Sequence, residues 1–598
     1  MDSKGPQQLL RVPTPTQRSL TFCEASPAGL KRWLDQLPRA KLGEVARLLY
    51  QGMLEINQLI QSNDQRLRML ELLRPEVNRT CVMLERHVLD QPIVLDERSR
   101  KVANLCQALQ NHMAAGYKLV VVDELNTPSR DRASLLPLAL QRAMKGLYGP
   151  LIRAAQLYTP AADHLWLELH QLFQIALRLN LQGQRVRDDL LTRPDGQSLQ
   201  EAYAVPLLFG AARCNQMRQR QIAQLVEYLD QWANLVQIKP ADQPGVLFVV
   251  APQIDAPPRY RTLLKEASLS GLLGLSTQVL VSQISDYLAL PPEERSRARL
   301  PVQPDISTDL LQHLRAAWGQ ESDRAFQRTP GQGRLEICIG MSALHYHLSG
   351  RVAFAQTLNL PEPPKSKPDF APAEKTSDVW SLAFDAEHNT SLDAHEEIHY
   401  DTPVDVKSEQ IELDKTYPLF SLPIVNHSPG GYCVSWPGEV PDQLQAGEVL
   451  GLRGLNENSW GIAVIRWIRQ VPGSGTQMGV ELLAPTARPC GLQLLRKTEQ
   501  HSQYLRGLLL PEIKAIDQSP SLVAPRLPFQ EGSKIQINQK GVEQQGMLTR
   551  RQNATVSFSV FEYRLLEQAR PTPETPRPGS QGPSSNTEDD FDSLWKSL

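Results

Sequence analysis

A chain of 598 residues is too long for one hydrophobic core and implies about three to five folding units. Hydrophobic residues make up 41% and charged residues 21%, ordinary for globular protein, while 46 Pro against 35 Gly points to Pro-rich linkers. The 63 Lys and Arg nearly cancel the 65 Asp and Glu, which excludes a global field drawing the chain to nucleic acid or an anionic membrane.

The start, Met1-Asp2-Ser3-Lys4-Gly5-Pro6, has no apolar run, and the uncharged apolar stretches at 119–122 and 246–251 are too short to span a bilayer. The expectation is a soluble, unsecreted, cytoplasmic protein without a transmembrane segment. Seven cysteines are an odd, scattered set with no C-x-x-C pair, which reads as buried small hydrophobes in a reducing compartment.

After an N-terminal tail, 1–22, the region 23–245 reads as helical. Ser26-Pro27 supplies an N-cap and a Pro at the first helical position, opening a helix that carries Leu30, Trp33, Leu34 and Leu37. Leu42, Val45, Leu49, Met53, Ile56 and Ile60 recur at three- and four-residue intervals, one apolar stripe that needs a partner. Similar stripes over 96–116, 134–158, 162–182, 198–214 and 216–238 suggest an α-solenoid or irregular bundle, although no fixed repeat signature accompanies them.

From Val246-Leu247-Phe248-Val249-Val250 the texture becomes mixed, and 246–350 reads as an α/β unit with a helix near 276–290 and a strand from Arg334 to Gly340. His345 and His347 flank Tyr346 on a helix, so they project about 200° apart and read as packing histidines. The acidic, Pro-rich stretch 351–410 has too little apolar material to order itself and reads as a linker. Segments 419–425, 431–436, 447–455, 459–470 and 477–483 are short and rich in Val, Ile, Leu and Trp. Turn chemistry such as Pro437-Gly438 and Pro472-Gly473-Ser474-Gly475 separates them, so 411–500 reads as a small antiparallel β-barrel. A second small β-module is expected over 501–567, with a turn at Asn538-Gln539-Lys540-Gly541 and an alternating strand from Thr555 to Phe561. The fold class expected is therefore multidomain α+β, a helical N-terminal half followed by β-barrel architecture.

Within the barrel, Asn426-His427-Ser428-Pro429-Gly430-Gly431 resembles the [D/N]-x-S-x-x-G signature of PilZ domains. Val464-Ile465-Arg466-Trp467-Ile468-Arg469, a Gly-rich turn and Met478-Gly479-Val480-Glu481 are similar to that family's later paired strands. The resemblance implies a bacterial signalling adaptor, non-catalytic, that binds cyclic di-GMP and relays it through protein contacts. It implies Asn426, Ser428 and Gly431 as ligand-binding positions, with Asn and Ser hydrogen-bonding guanine or phosphate and Gly431 admitting a close backbone approach. The family also carries an R-x-x-x-R pair shortly before the barrel. Between Arg351 and Arg453 no arginine occurs, which leaves Arg453, Arg466 and Arg469 as the candidates for phosphate contacts. A plain Asx turn at Asn426 and solvated arginines on a barrel exterior are the competing readings.

Two further features stand apart. His395-Glu396-Glu397-Ile398-His399 satisfies H-E-x-x-H, the spacing of a zinc hydrolase, but it sits in the acidic linker just before Pro403 with no apolar face to enclose it. In the tail, 568–598, Phe591, Leu594, Trp595 and Leu598 share one helical face behind an acidic lead-in, a pattern suited to docking on a partner protein or back onto this chain. Three functions stay open at this point: a PilZ-like adaptor for cyclic di-GMP without other cofactor, a helical scaffold whose barrel binds no nucleotide, and a zinc hydrolase.

Overall fold

The computed structural model describes residues 10–190, 195–264, 269–303, 306–319, 328–359, 406–455, 457–496, 502–513 and 518–566. Most of the acidic linker, the zinc-hydrolase motif His395-Glu396-His399 and the tail motif Phe591, Leu594, Trp595 and Leu598 lie outside these residues.

The N-terminal half is helical, as its stripes require. It runs through α1 (Pro27–Asp35), α2 (Leu42–Gln58), α3 (Asn63–Glu85), α4 (Glu97–Asn126), α5 (Arg132–Gln156), α6 (Leu165–Arg178), α7 (Leu199–Ala211) and α8 (Gln219–Trp232). The N-terminus of α1 is capped by Ser26, whose Oγ accepts from the Gly29 amide at 3.1 Å. Between α6 and α7 a two-stranded ladder pairs β1 (Arg185–Val186) with β2 (Gln197–Ser198). Val45, Leu49, Met53 and Ile56 of α2 are buried together with the apolar faces of the other helices in one continuous core.

That core does not stop near 245. A four-stranded antiparallel sheet, in the order β3 (Gln237–Pro240), β6 (Leu273–Ser276), β4 (Phe248–Val250), β5 (Arg259–Tyr260), contributes Phe248, Val250 and Leu275 to it. So do Leu280 and Ile284 of α9 (Gln278–Ala289) and Leu310, Leu314 and Trp318 of α10 (Thr308–Gly319). The stretch read from sequence as one α/β unit, 246–350, is therefore divided: its first part belongs to the helical core, and its last part opens a barrel.

That barrel is formed by β7 (Thr329–Pro330), β8 (Arg334–Ile339), β9 (Phe420–Ser428), β10 (Gly431–Trp436), β11 (Val449–Gly454), β12 (Gly461–Val471) and β13 (Gly475–Ala484). Going round it the order is β8, β9, β10, β13, β12, β11 and back to β8. β7 and β8 are successive stretches of chain along one edge of β9, with Pro330 opposite Asn426 and Leu335 opposite Leu422. The sequence boundary at 411 was thus too late. The first strand precedes the linker, and after α11 (Met341–Leu348) and the short α12 (Phe354–Thr357) the chain returns through α13 (Val406–Thr416) to add the second. Phe354 and Leu358, read as linker, are buried against Tyr504.

Leu335, Ile337, Leu422, Val434, Trp436, Leu450, Ala463, Ile465, Ile468, Met478 and Val480 fill the barrel, joined by Ile93 and Tyr158 from the helical domain. On the outside, Cys338, Leu344, Trp460, Ile462 and Val464 pack against Leu508, Leu510, Val523, Phe558 and Val560. Both faces of β12 are thus covered, which is why its apolar alternation is imperfect in the sequence.

Those last residues belong to a second closed barrel of β14 (Arg488–Leu494), β15 (Leu505–Leu510), β16 (Ser521–Pro525), β17 (Lys534–Gln539), β18 (Val542–Ala554) and β19 (Phe558–Leu565), ordered β14-β15-β16-β19-β18-β17. The strand at 488–494, read as part of the first barrel, pairs here with β15 and β17. Lys540 and Gly541, at φ 52° and 85°, make the tight β17–β18 hairpin turn, a conformation that glycine adopts without a side-chain clash. Among the described residues no helix is long and apolar enough to cross a membrane.

Two histidines inside this framework stay neutral. His170 Nε2 donates to the Ala256 carbonyl at 3.0 Å while Nδ1 accepts from Tyr203 Oη at 2.6 Å, and burial lowers its pKa to about 4. Burial, reinforced by Arg506, lowers His345 on α11 to about 3. The unfolded chain takes up protons near pH 6.5 that the folded chain refuses, so stability is present above that pH and falls as pH drops below it. Each histidine should cost about 2 kcal/mol between pH 7 and pH 5. Denaturant unfolding at the two pH values checks this; an unchanged midpoint would contradict it.

Candidate ligand-binding site

The β9–β10 hairpin carries the Asn426 to Gly431 segment, with Ser428 opposite Gly431 and Asn426 opposite Cys433. Gly431 is required by crowding. A Cβ there would lie 2.0 Å from the Val480 carbonyl oxygen of β13, which is backbone and has nowhere to go. Ser428 Oγ is 3.5 Å from the Gly431 oxygen, a long contact that leaves the hydroxyl available. Asn426 Oδ1 is buried and has no hydrogen-bond partner among the described residues, an unmet demand that native proteins seldom tolerate without a reason.

Registered pairs carry a row across the barrel from Pro330 on β7 to Asn426 on β9, Cys433 on β10, Gly479 on β13 and Trp467 on β12. Cys433 and Gly479 alternate with Val434, Met478 and Val480, which line the interior, so this row is on the outer surface. Trp467 reaches that surface through a bulge. The β12–β13 register shifts between Ile465 and Trp467, so Ile465 and Ile468 both point inward while Arg466 and Trp467 are left outside. The indole then lies over β13, since a Cβ on Gly479 would meet Trp467 Nε1 at 2.0 Å. Beyond it Cys433 is fully buried although it points out of the barrel.

Two arginines flank the indole. The Arg328 guanidinium is 5.9 Å from the ring centroid and that of Arg469 is 5.1 Å. Arg469 donates from Nε and Nη2 to Gln477 Oε1 at 3.1 and 2.8 Å, a neutral acceptor. Burial raises the Cys433 thiol pKa, and the charges of Arg469 and Arg328 oppose that shift.

Arg328 is the residue that the sequence reading missed. It immediately precedes β7 and closes the run Arg324-Ala325-Phe326-Gln327-Arg328, an R-x-x-x-R pattern; Arg324 lies outside the described residues. A search confined to residues after Arg351 could not find it, because the barrel's first strand stands on the far side of the linker. The available signal was this arginine pair directly ahead of the β-patterned run from Arg334.

The three arginines chosen instead divide. Arg469 is at the indole. Arg466 is on the rim of the same surface, two-pronged onto Glu481 at 2.7 and 3.2 Å, and Glu481 is opposite Gly431. Arg453 is a correction: β11 carries it to the opposite side, where it bonds Glu336 at 2.7 Å, stacks 4.5 Å from the Trp460 centroid and lines an open hollow of about 720 Å³ with His347, Arg351 and Tyr417.

Next to Arg469, Gln470 fastens the barrel to the helical domain. Its amide donates to the Tyr158 oxygen at 2.7 Å, and its Nε2 to the oxygens of Ile93 at 2.9 Å and Leu157 at 3.1 Å. A cleft of about 650 Å³ between the two units has Arg469 and Gln470 on one wall and Trp166 and Phe209 on the other. Among the described residues no cluster of His, Cys, Asp and Glu could hold a metal ion.

A closed barrel with Asn-x-Ser-x-x-Gly on its rim and an arginine entering beside it defines a PilZ-domain protein. The chain belongs to the family of the cyclic-di-GMP receptor FimW: it is 54% identical to that protein of Pseudomonas aeruginosa over 615 aligned residues, which cover all of both chains. Family models match the chain in three successive parts, the FimW N-terminal domain at 28–242, the middle PilZ domain at 247–489 and the C-terminal β-barrel domain at 490–566. No solved structure matches the chain.

The crowding at Gly431 predicts that Gly431→Ala destabilises the protein by about 1–3 kcal/mol, the usual cost of overpacking. Thermal unfolding measures it, and a variant as stable as the parent would show that β13 can withdraw.

Proposed function

We propose that this chain is itself a cytoplasmic, non-catalytic receptor for cyclic di-GMP that passes occupancy of its PilZ barrel to the helical domain. The observation that carries this reading is the convergence of Arg328 with Asn426, whose buried Oδ1 has no partner among the described residues, on one side of the barrel. The full-length likeness to a protein described as a cyclic-di-GMP receptor supports it.

The ligand is a dianion with two planar bases. Arg328 and Arg469 offer planar forks that suit phosphate oxygens and can stack on a purine, which lysine cannot do. Asn426 Oδ1 is an acceptor matched to the N–H groups of a guanine edge, and the Ser428 hydroxyl donates to phosphate. Gly431 keeps the rim low enough for the ligand to approach the backbone. None of these roles needs a nucleophile or a general base, consistent with binding rather than turnover. Relay to the helical domain rests on adjacency: Arg469 meets the ligand face and Gln470, the next residue, holds Ile93, Leu157 and Tyr158. Partner proteins would then read the helical surface.

Calorimetric titration of the full-length protein with cyclic di-GMP tests this reading. Arg328→Ala, Asn426→Ala and Ser428→Ala should each weaken binding about tenfold or more, the loss of one hydrogen bond to a charged or buried group. Arg453→Ala, on the opposite side, should leave affinity unchanged. Absence of heat with the parent protein, or equal loss on Arg453→Ala, would refute the assignment.

A further inference from the structure

All seven cysteines are free thiols, and six are buried, as small apolar fillers would be. Two of them are placed for more than filling. Cys81 of α3 and Cys106 of α4 face each other: Cys81 Sγ is 3.8 Å from the Cys106 carbonyl oxygen, and Cys106 Sγ is 4.0 Å from that of Cys81. The two sulfurs therefore share one gap between the helices. The Cys81 thiol pKa is raised, first by its hydrogen bond to the Cys106 side chain and then by burial. A charged group reaches Cys106 from the third helix. Arg153 of α5 donates from Nη2 to Cys106 Sγ at 2.7 Å, and the same guanidinium bonds Glu85 Oε1 and Gln110 Oε1, each at 3.0 Å. Glu85 Oε1 is also 3.8 Å from Cys106 Sγ. The Arg153 side chain is 3% exposed but that of Glu85 is 34% exposed, so the carboxylate leads from solvent to the buried cation and sulfur.

A sulfur that only fills space gains nothing from a cation drawn out of water to meet it. A sulfur that carries negative charge as it reacts does. We infer that Cys106 and Cys81 are a peroxide-oxidised disulfide pair, with Cys106 the attacking sulfur and Cys81 the resolving one. In the first step Cys106 gives its proton to Glu85 Oε1 and its sulfur attacks one oxygen of hydrogen peroxide. The S–O bond forms, the O–O bond breaks, and the departing hydroxide takes that proton and leaves as water. Cys81 stays protonated meanwhile, which sets the order of the two thiols. Its sulfur then attacks the sulfenic sulfur of Cys106: the S–S bond forms, the S–O bond breaks, and the hydroxide takes the Cys81 proton as a second water. Two thiols and one peroxide become one disulfide and two waters, the sulfurs losing the two electrons that the peroxide gains. The bridge ties α3 to α4, and a dithiol reductant restores the free pair.

Full-length protein treated with hydrogen peroxide while folded, then blocked, unfolded and mapped by mass spectrometry without reductant, tests this. The parent should yield a peptide pair joined through Cys81 and Cys106, and dithiothreitol should return both thiols. In Cys81→Ser the reaction should stop at the sulfenic acid, so that dimedone labels Cys106. Cys106→Ser, which lacks the attacking sulfur, should leave Cys81 unlabelled under the same exposure. Cys81 and Cys106 both still free in the peroxide-treated parent would overturn the inference, and dimedone on Cys81 in Cys106→Ser would overturn the assigned roles. The map of the parent needs no substitution, so it decides the matter even where a serine in the core unfolds a variant.

Discussion

Everything at the candidate ligand face depends on how β9 is held between two neighbours. On one edge it pairs with β10 through a tight hairpin, and on the other it pairs with β7 and β8, which come from the far side of the linker. Thr329 and His427 are 98 residues apart in the chain yet opposite one another in the ladder. The register is enforced from inside, because Leu335, Ile337 and Leu422 are buried in the barrel. A slip of one residue would turn those side chains out and take Asn426 and Ser428 inward. The same burial that stabilises the barrel therefore fixes which polar atoms the rim presents, and where Arg328 stands.

Local chemistry was legible in the sequence, and long-range pairing was not. Each of the strands β9 to β13 is bounded by its own turn residues, and the Lys540-Gly541 turn announces its hairpin without any tertiary help. Asn426, Ser428 and Gly431 could be singled out because they lie within six residues of one another. Arg328 had a local signal in its pairing with Arg324 ahead of a β-patterned run, but nothing local says that a strand ahead of a long linker closes a barrel behind it. Arg453 was chosen for the converse reason: it is close to the motif along the chain, but it is on β11, whose neighbours are β8 and β12. The indole at 467 was visible as an aromatic in a strand, yet its direction depends on a bulge, and a bulge moves every residue after it to the opposite phase.

The limit near 245 coincides with the break between the first two family models, yet the packing crosses such limits. Composition marks where order is lost, not which segments share a core. The four-stranded sheet at 237–276 has the texture of a new unit, yet Phe248 and Val250 complete the helical core. The strand at 488–494 follows the first barrel without a linker, yet its neighbours are β15 and β17.

The units are also tied to one another by polar contacts. Arg218, at the N-terminus of α8, donates to the Ala446 oxygen at 3.1 Å and pairs with Glu448 at 3.0 Å in the first barrel, and it bonds Ser557 in the second. Arg526 of the second barrel pairs with Asp309 of α10 at 2.8 Å. Arg218 and Glu448 are both mostly shielded from water, so parting them would leave two poorly solvated charges, a far greater cost than loss of an exposed pair. The joint at Gln470 is of another kind, three neutral hydrogen bonds to backbone oxygens, each worth about 1 kcal/mol. That joint adjoins Arg469, and Ile93 and Tyr158 there are also buried in the barrel core. The Arg218 cluster joins the helical domain to both barrels.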